Sequence, residues 1–295
     1  MDKKAFESTQ SQNLAEGLSF ETGMRVEKNC QNCGFTQVRM NGLKGAYSQI
    51  LIDSRPVYSA LSSIYGLEQI PSNMIERIEI VRGGGSVLYG GNAIAGSINI
   101  ITREPVSNKF SVNSELSLIK GKTPDRNFSF NASVVNDDLS HGLTVFGNKR
   151  NRAPFDATGD GYSELTKLNN TSFGMKGFMK PDNDQKVTLE LHTLNELRRG
   201  GNDFKLQPHE ADLAERLKHD IVGGSVLYEN FGNNNDSKWE TYASTQYINR
   251  DSYYGLDEDP NAYGTTKDLS VITGTEYTHQ VDSIIGGTAE ILGGG

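Results

Sequence analysis

Few residues of this chain stand at spacings that do chemistry. Cys30-Gln31-Asn32-Cys33 is a C-x-x-C pair, which is half of a zinc site, a redox centre, a short disulfide loop or two free thiols. Zinc needs about two further ligands, and no Cys or His lies close by in the sequence. A redox centre needs a βαβ setting, which is missing. Gly83-Gly84-Gly85-Ser86 has the glycine density of a phosphate loop. No Lys-Ser/Thr follows at the required spacing, and no G-x-G-x-x-G opens a helix, so nucleotide binding is set aside. Asp156-Ala157-Thr158-Gly159-Asp160-Gly161 resembles the start of a calcium loop, but position twelve is Lys167 rather than Glu. A surface loop rich in turn formers explains that stretch equally well, and no metal site is assigned. The five histidines, His141, His192, His209, His219 and His279, are scattered. No Ser-His-Asp order with an elbow, no H-E-x-x-H and no defensible carboxylate pair is present, so no enzyme and no cofactor are expected.

The elements that would position these residues come in two kinds. Up to about residue 106 the chain reads as a small mixed α+β domain. Asn13–Leu18 has helical spacing that ends near Gly23, and short β runs follow at 36–40, 49–53, 72–81 and 97–102. From Lys109 onward apolar and polar residues alternate. Phe110, Val112, Leu116 and Leu118 share one face; Phe128, Phe130, Ala132 and Val134 another; Val187, Leu189 and Leu191 a third. Leu269, Val271, Thr273 and Tyr277 continue the pattern. About nine such segments of roughly 10–12 residues have the length that a tilted strand needs to cross a bilayer. Longer polar loops are expected at about 150–165, 198–217 and 251–266, alternating with short turns, as in a barrel with two unlike ends. A soluble antiparallel sandwich alternates in the same way; strand length and the long loops favour the membrane barrel.

Composition agrees. Mean hydropathy is −0.52, and no run of about 18 apolar residues exists, so a helical membrane protein is excluded while a barrel of alternating strands is not. The formal charge of −8 argues against a nucleic-acid partner. The chain opens on Met1-Asp2-Lys3-Lys4 with no apolar signal region and stops at Gly293-Gly294-Gly295 directly after a strand-like run. It is therefore expected to be a fragment.

Between Gly34 and Pro105 several blocks occur in order. They are Val38-Arg39-Met40-Asn41-Gly42, then Ile50-Leu51-Ile52-Asp53-Ser54-Arg55-Pro56-Val57, then Ile70 through Gly83, and finally Ser86 through Thr102. Together they resemble the plug domain of TonB-dependent outer-membrane receptors. The resemblance implies an all-β transmembrane barrel, here partial with about nine antiparallel strands, and an N-terminal α+β plug domain. The plug is expected over residues 1–106, without its TonB box, and the barrel over 107–295. A wide barrel has a wet lumen unless a compact polar-surfaced domain fills it. By the same resemblance Arg39 and Arg82 look like plug arginines that pair with barrel glutamates, which are expected on later strands than those of this chain. The glycines at 83–85 are expected to allow tight turns and close approach to the barrel wall. An oxidising compartment makes a Cys30–Cys33 disulfide the expected state, stiffening an apical plug loop, with free thiols the alternative.

The implied function is uptake of a scarce nutrient across the cell outer membrane, driven by TonB of the inner-membrane complex. A ferric siderophore is the first expectation; cobalamin or haem receptors and a ligand-sensing signalling receptor are alternatives. A secreted β-rich binding module is the remote one. The expected partners are TonB, the small-molecule ligand and outer-membrane lipid. Tyr47, Tyr58, Ser59 and Tyr65, on apical plug turns, are the candidate ligand contacts, since aromatic and hydroxyl groups suit a flat, oxygen-rich ligand. His192, on the inner face of a strand, is a further candidate.

Overall fold

The computed structural model describes residues 3–30, 34–56, 69–84, 93–232, 236–282 and 288–294. Its first part is built around a short capped helix. Asn13 takes extended backbone angles, and its side chain accepts the Glu16 amide at 3.0 Å, opening α2 (Leu14–Leu18). Leu14 and Leu18, one turn apart, are fully buried against Met24, Val38, Met40, Ile75, Ile98 and Ile100. Helix α1 (Lys3–Thr9) precedes it, where the sequence reading saw only a charged opening; a single apolar anchor, Phe6, is buried in the same core.

The strands of this part form two small sheets. β1 (Met24–Cys30), also unforeseen, pairs antiparallel with β2 (Phe35–Met40). The second sheet has the order β4-β3-β6-β5, from β3 (Ser48–Ile52), β4 (Arg55–Pro56), β5 (Ile75–Arg82) and β6 (Gly96–Thr102). β3 and β6 run parallel and the remaining pairs antiparallel. Gly96 opens β6 at φ +143°, and a Cβ there would lie 2.1 Å from the Val81 carbonyl and 2.5 Å from Met40 Sδ. Only glycine lets the two sheets approach so closely at this point.

The rest of the described chain is one nine-stranded antiparallel sheet in sequence order. Its strands are β7 (Lys109–Ile119), β8 (Thr123–Val135), β9 (His141–Arg152), β10 (Lys167–Asp182), β11 (Gln185–Gly201), β12 (Leu213–Phe231), β13 (Ser237–Leu256), β14 (Tyr263–Asp282) and β15 (Thr288–Gly294). This is the expected partial barrel wall. Among the described residues β7 and β15 are its edges. Many strands are longer than expected, reaching 20 residues in β13 and β14. The polar stretches at 198–201, 213–217, 251–256 and 263–266, expected as loops, continue the ladder instead. Cross-strand hydrogen bonding needs no alternation, so a strand can run on beyond the apolar band. The connections 153–166, 202–212 and 257–262 lie at one end of the wall, and the short turns 136–140 and 183–184 at the other.

The two faces of the wall are chemically opposite. Phe110, Val112, Leu116, Phe128, Phe173, Leu189, Leu191, Val222, Val226, Leu269 and Val271 all stand exposed on one face. Register places them side by side: Phe173 opposite Thr193, Leu191 opposite Met175 and Gly224, Leu269 opposite Tyr247. An uncovered apolar band of this breadth far exceeds what a soluble monomer shows to water. It excludes the sandwich and matches a lipid-facing surface. The other face carries Asn127, Ser129, Thr144, Asn148, Arg150, Asn170, Ser172, Lys176, Thr188, Glu190, Glu196 and Arg198, all buried. Among the described residues no helix is long and apolar enough to cross a membrane.

Candidate functional site

The buried polar face of the wall meets the front part of the chain, and that seam is the best-defined polar construction in the molecule. Lys176 on β10 points inward, where its Nζ donates to Asp53 Oδ2 at 2.9 Å and to Thr102 Oγ1 at 2.7 Å. Asp53 follows β3 and accepts the Thr102 amide at 2.9 Å and its hydroxyl at 2.5 Å, which ties the ends of β3 and β6 together. Lys186 Nζ donates to Glu104 at 3.0 Å, just beyond β6. Higher on the wall, Arg150 donates to Glu16 at 2.9 Å, the same residue that helps cap α2. Gln69 donates to Glu196 at 3.0 Å, and Arg198 donates to the Gly34 carbonyl at 3.0 Å. Asn73 and Asn131 exchange side-chain and carbonyl hydrogen bonds at 2.9 to 3.5 Å. Buried polar groups need partners, and each half supplies what the other lacks.

These contacts orient the front part within the wall. The C-terminal ends of β3 and β6 meet Lys176 and Lys186, near the 183–184 turn. Their N-terminal ends therefore point toward the long-connection end. Tyr47 sits there, about two-fifths exposed, with its carbonyl accepting the Ala95 amide at 2.8 Å. The β1–β2 hairpin also reaches that end, since Gly34 lies beside Arg198 and Thr166. Tyr58, Ser59, Tyr65 and Cys33 lie outside the described residues. Cys30 is placed only as a backbone position closing β1 opposite Phe35, and its side chain is likewise outside the description.

Arg39 and Arg82 find their contacts, among the described residues, inside the front part rather than on the wall. Arg39 Nε lies 2.5 Å from Glu27 Oε2 across the hairpin, and that guanidinium holds the Glu27 carboxyl below the usual range. Arg82 donates to the Thr22 carbonyl. In the ion pairs that bridge the seam between the described residues, cations stand on the wall and carboxylates on the plug-like part. Gly83 takes φ +95° at the end of β5, so the expected tight turn is there. A Cβ on Gly83 or Gly84 would meet nothing within 4 Å, so close approach to the wall is not what these two glycines serve.

His192 is on the inner face, as expected. It lines a cavity with Ile52 and Arg55 on one side and Glu190, Ser225 and Gln246 on the other. Arg55 donates to Ser225 Oγ at 3.0 Å and stands 5.5 Å over the Tyr242 ring. In the 153–166 connection, Asp156, Asp160 and Glu164 bring one oxygen each within 4.8 Å of one another. Glu164 was not singled out from the sequence, because it stands short of the position an EF-hand would use. Asp156 already accepts the amides of Gly159 at 2.6 Å and Gly161 at 2.8 Å, which hold its carboxyl below the usual range.

Comparison with known proteins follows the same division. Residues 1–97 match the family model described as TonB-dependent Receptor Plug Domain. The vitamin B12 transporter BtuB of Vibrio vulnificus is 33 % identical over 112 residues, covering 38 % of this chain and 18 % of the relative. The ferric enterobactin receptor of Pseudomonas aeruginosa is 30 % identical over 127 residues, covering 38 % of this chain and 17 % of the relative. Among solved structures, the siderophore receptor PirA from Acinetobacter baumannii superposes with a TM-score of 0.77 at 17 % identity, over 96 % of this chain and 45 % of that one. The chain thus spans less than half the length of these proteins. At this identity the structural likeness establishes the fold, and it takes in wall and front part together.

Proposed function

We propose that the chain, whose residues 1–97 match the TonB-dependent receptor plug, belongs to that receptor family and supplies the plug, residues 1–106, and the first nine barrel strands, from 107, of a receptor that imports a scarce nutrient across the outer membrane. The observation that supports this reading best is the seam. A compact domain with its own apolar core is held against a polar inner wall by hydrogen bonds and ion pairs rather than by apolar packing. An apolar seam would weld the plug in place, whereas a polar one can be re-wetted when the plug moves. The outer membrane has no ATP of its own, so motion of the plug is assigned to pulling by TonB. The relatives named above are transporters and receptors, in keeping with a binding and transport role rather than catalysis.

A ferric siderophore is the ligand class we propose. The wall and plug together superpose on siderophore receptors, and Tyr47 stands exposed at the long-connection end, where an oxygen-rich ligand would arrive. Tyr58, Ser59 and Tyr65 are proposed to join it, and a Cys30–Cys33 disulfide is proposed to stiffen the hairpin beside them. Cobalamin is the second reading, carried by the 33 % identity to BtuB over 112 residues. Cells expressing the complete receptor, tested for TonB-dependent uptake of ferric enterobactin, cyanocobalamin and haemin, discriminate these readings. Submicromolar uptake of the first supports the siderophore reading; uptake of cyanocobalamin alone replaces it, and uptake of none of the three contradicts it.

A further inference from the structure

The seam has a regularity that transport alone does not require. Charged wall residues that hold the plug stand, with one exception among the described residues, beside an opposite charge on the wall itself. Arg150 pairs with Glu16 of the plug and, at 2.7 Å, with Asp125 of β8. Glu196 accepts from Gln69 and is paired with Arg198 at 2.9 Å on its own strand. Lys186 holds Glu104 and stands directly opposite Glu229 in the β11–β12 ladder, 3.9 Å away. Lys176 holds Asp53 and stands directly opposite Glu190 in the β10–β11 ladder. Glu115, which accepts from Gln12 at 2.9 Å, is a wall charge outside this pattern, and it lies on the edge strand β7.

Glu190 is the informative member. It is 7 % exposed, and among the described residues it makes no hydrogen bond, although Lys176 is its cross-strand neighbour and Arg55 lines the same cavity. Its oxygens thus face the cavity with acceptor capacity to spare, across the ladder from an ammonium now held by Asp53. The geometry points to a hand-over: Glu190 is a positioning residue that takes the Lys176 ammonium when Asp53 departs with the plug. Glu229, already paired with Lys238 at 2.9 Å through one oxygen, has its other oxygen 3.9 Å from Lys186 and can take up that ammonium as well, and the Arg150–Asp125 and Glu196–Arg198 pairs are already closed. Each of these wall pairs is therefore neutral with or without the plug. In the narrow gap that first opens, before bulk water enters, none of the paired wall charges is stranded. The carboxylates that depart, Glu16, Asp53 and Glu104, belong to the plug and pass to water. This inference rests on the reading that the plug moves within the wall.

The test is hydrogen–deuterium exchange on the complete receptor in detergent, without ligand or TonB, following peptides over β3 and β6. In E190Q the hand-over site is lost and Lys176 stays committed to Asp53. Exchange of those peptides is expected to slow by about tenfold while β12 and β13 are unchanged. E190D, which keeps the charge, returns the wild-type rate. E229Q slows the same peptides by a smaller factor and serves as the independent variant if E190Q does not fold. A merely structural Glu190 gives the opposite result, because removing it loosens the seam. Unchanged or faster exchange in both E190Q and E229Q overturns the hand-over. Such an outcome leaves the transport reading standing, since that is decided by uptake in cells.

Discussion

The plug and the wall solve the same problem with inverted chemistry. In the plug, Leu14, Leu18, Met40, Ile98 and Ile100 turn inward and are essentially unexposed, while charge stays outside. In the wall, Leu189, Leu191, Val226 and Val271 turn outward, and the buried side carries Lys176, Glu196 and Arg198. One chain thus obeys two solvents. Water drives the plug's apolar groups together, and hydrocarbon accepts those of the wall where they stand. The difference also explains the seam, because two polar surfaces meet there and can part again.

Substitutions break the comparison in a graded way. The largest effect is expected for Lys176→Met, which strands Asp53 and Glu190 in a buried site and should cost about 3–5 kcal/mol of plug seating. Denaturant titration followed by plug-specific proteolysis reads it, and a double-mutant cycle with Asp53→Asn should show strong coupling. Ile98→Ala, at a position with no exposure, should destabilise the plug by about 2–5 kcal/mol and leave the wall's resistance to heat in detergent unaltered. Leu191→Arg should reverse that pattern, costing about 2–4 kcal/mol of wall stability through its lipid face with plug packing intact. Equal sensitivity of both parts to both changes would mean that they share one solvent.

The smallest effect concerns pH. The Glu27 carboxyl is held below its ordinary value by Arg39, so the pair stabilises the hairpin above about pH 4.5 and is lost as the pH falls through the lowered value. Acid titration of the β1–β2 amide signals should show that loss, and Glu27→Gln should abolish it while leaving neutral-pH stability almost unchanged.

Much of this was legible from residue order. Alternation over 128–134 and 187–191 announced wall strands, because their apolar residues must all face one way. The ordered blocks from Val38 to Thr102 announced the plug. Less was legible where structure depends on seating. Strand ends at 198–201 and 251–256 carry no apolar–polar alternation, since residues such as Arg199 and Tyr253 are buried there against the long connections, through the Asn202 and Asp259 carbonyls, rather than set against lipid. β1 offers too few apolar residues to stand out, and α1 is held by Phe6 alone. The seam's own ion pairs were not anticipated: Lys176, Lys186 and Arg150 were not singled out, and the pairing expected of Arg39 and Arg82 was with strands later than these. A lone sequence shows that Lys176 or Glu190 faces inward but not which plug carboxylate stands opposite, because that partner lies 123 residues away for Lys176.

The central claim is that the plug is seated on the inner face of the wall, and cross-linking tests it most directly. In a cysteine-free background of the complete receptor, Asn73→Cys combined with Asn131→Cys should cross-link with a short bifunctional maleimide, because these side chains touch across the seam. Asn73→Cys combined with Leu189→Cys, which projects from the lipid face, should not. Efficient linkage of the first pair alone is the predicted result. Absence of that linkage, or equal linkage of both pairs, would contradict the account.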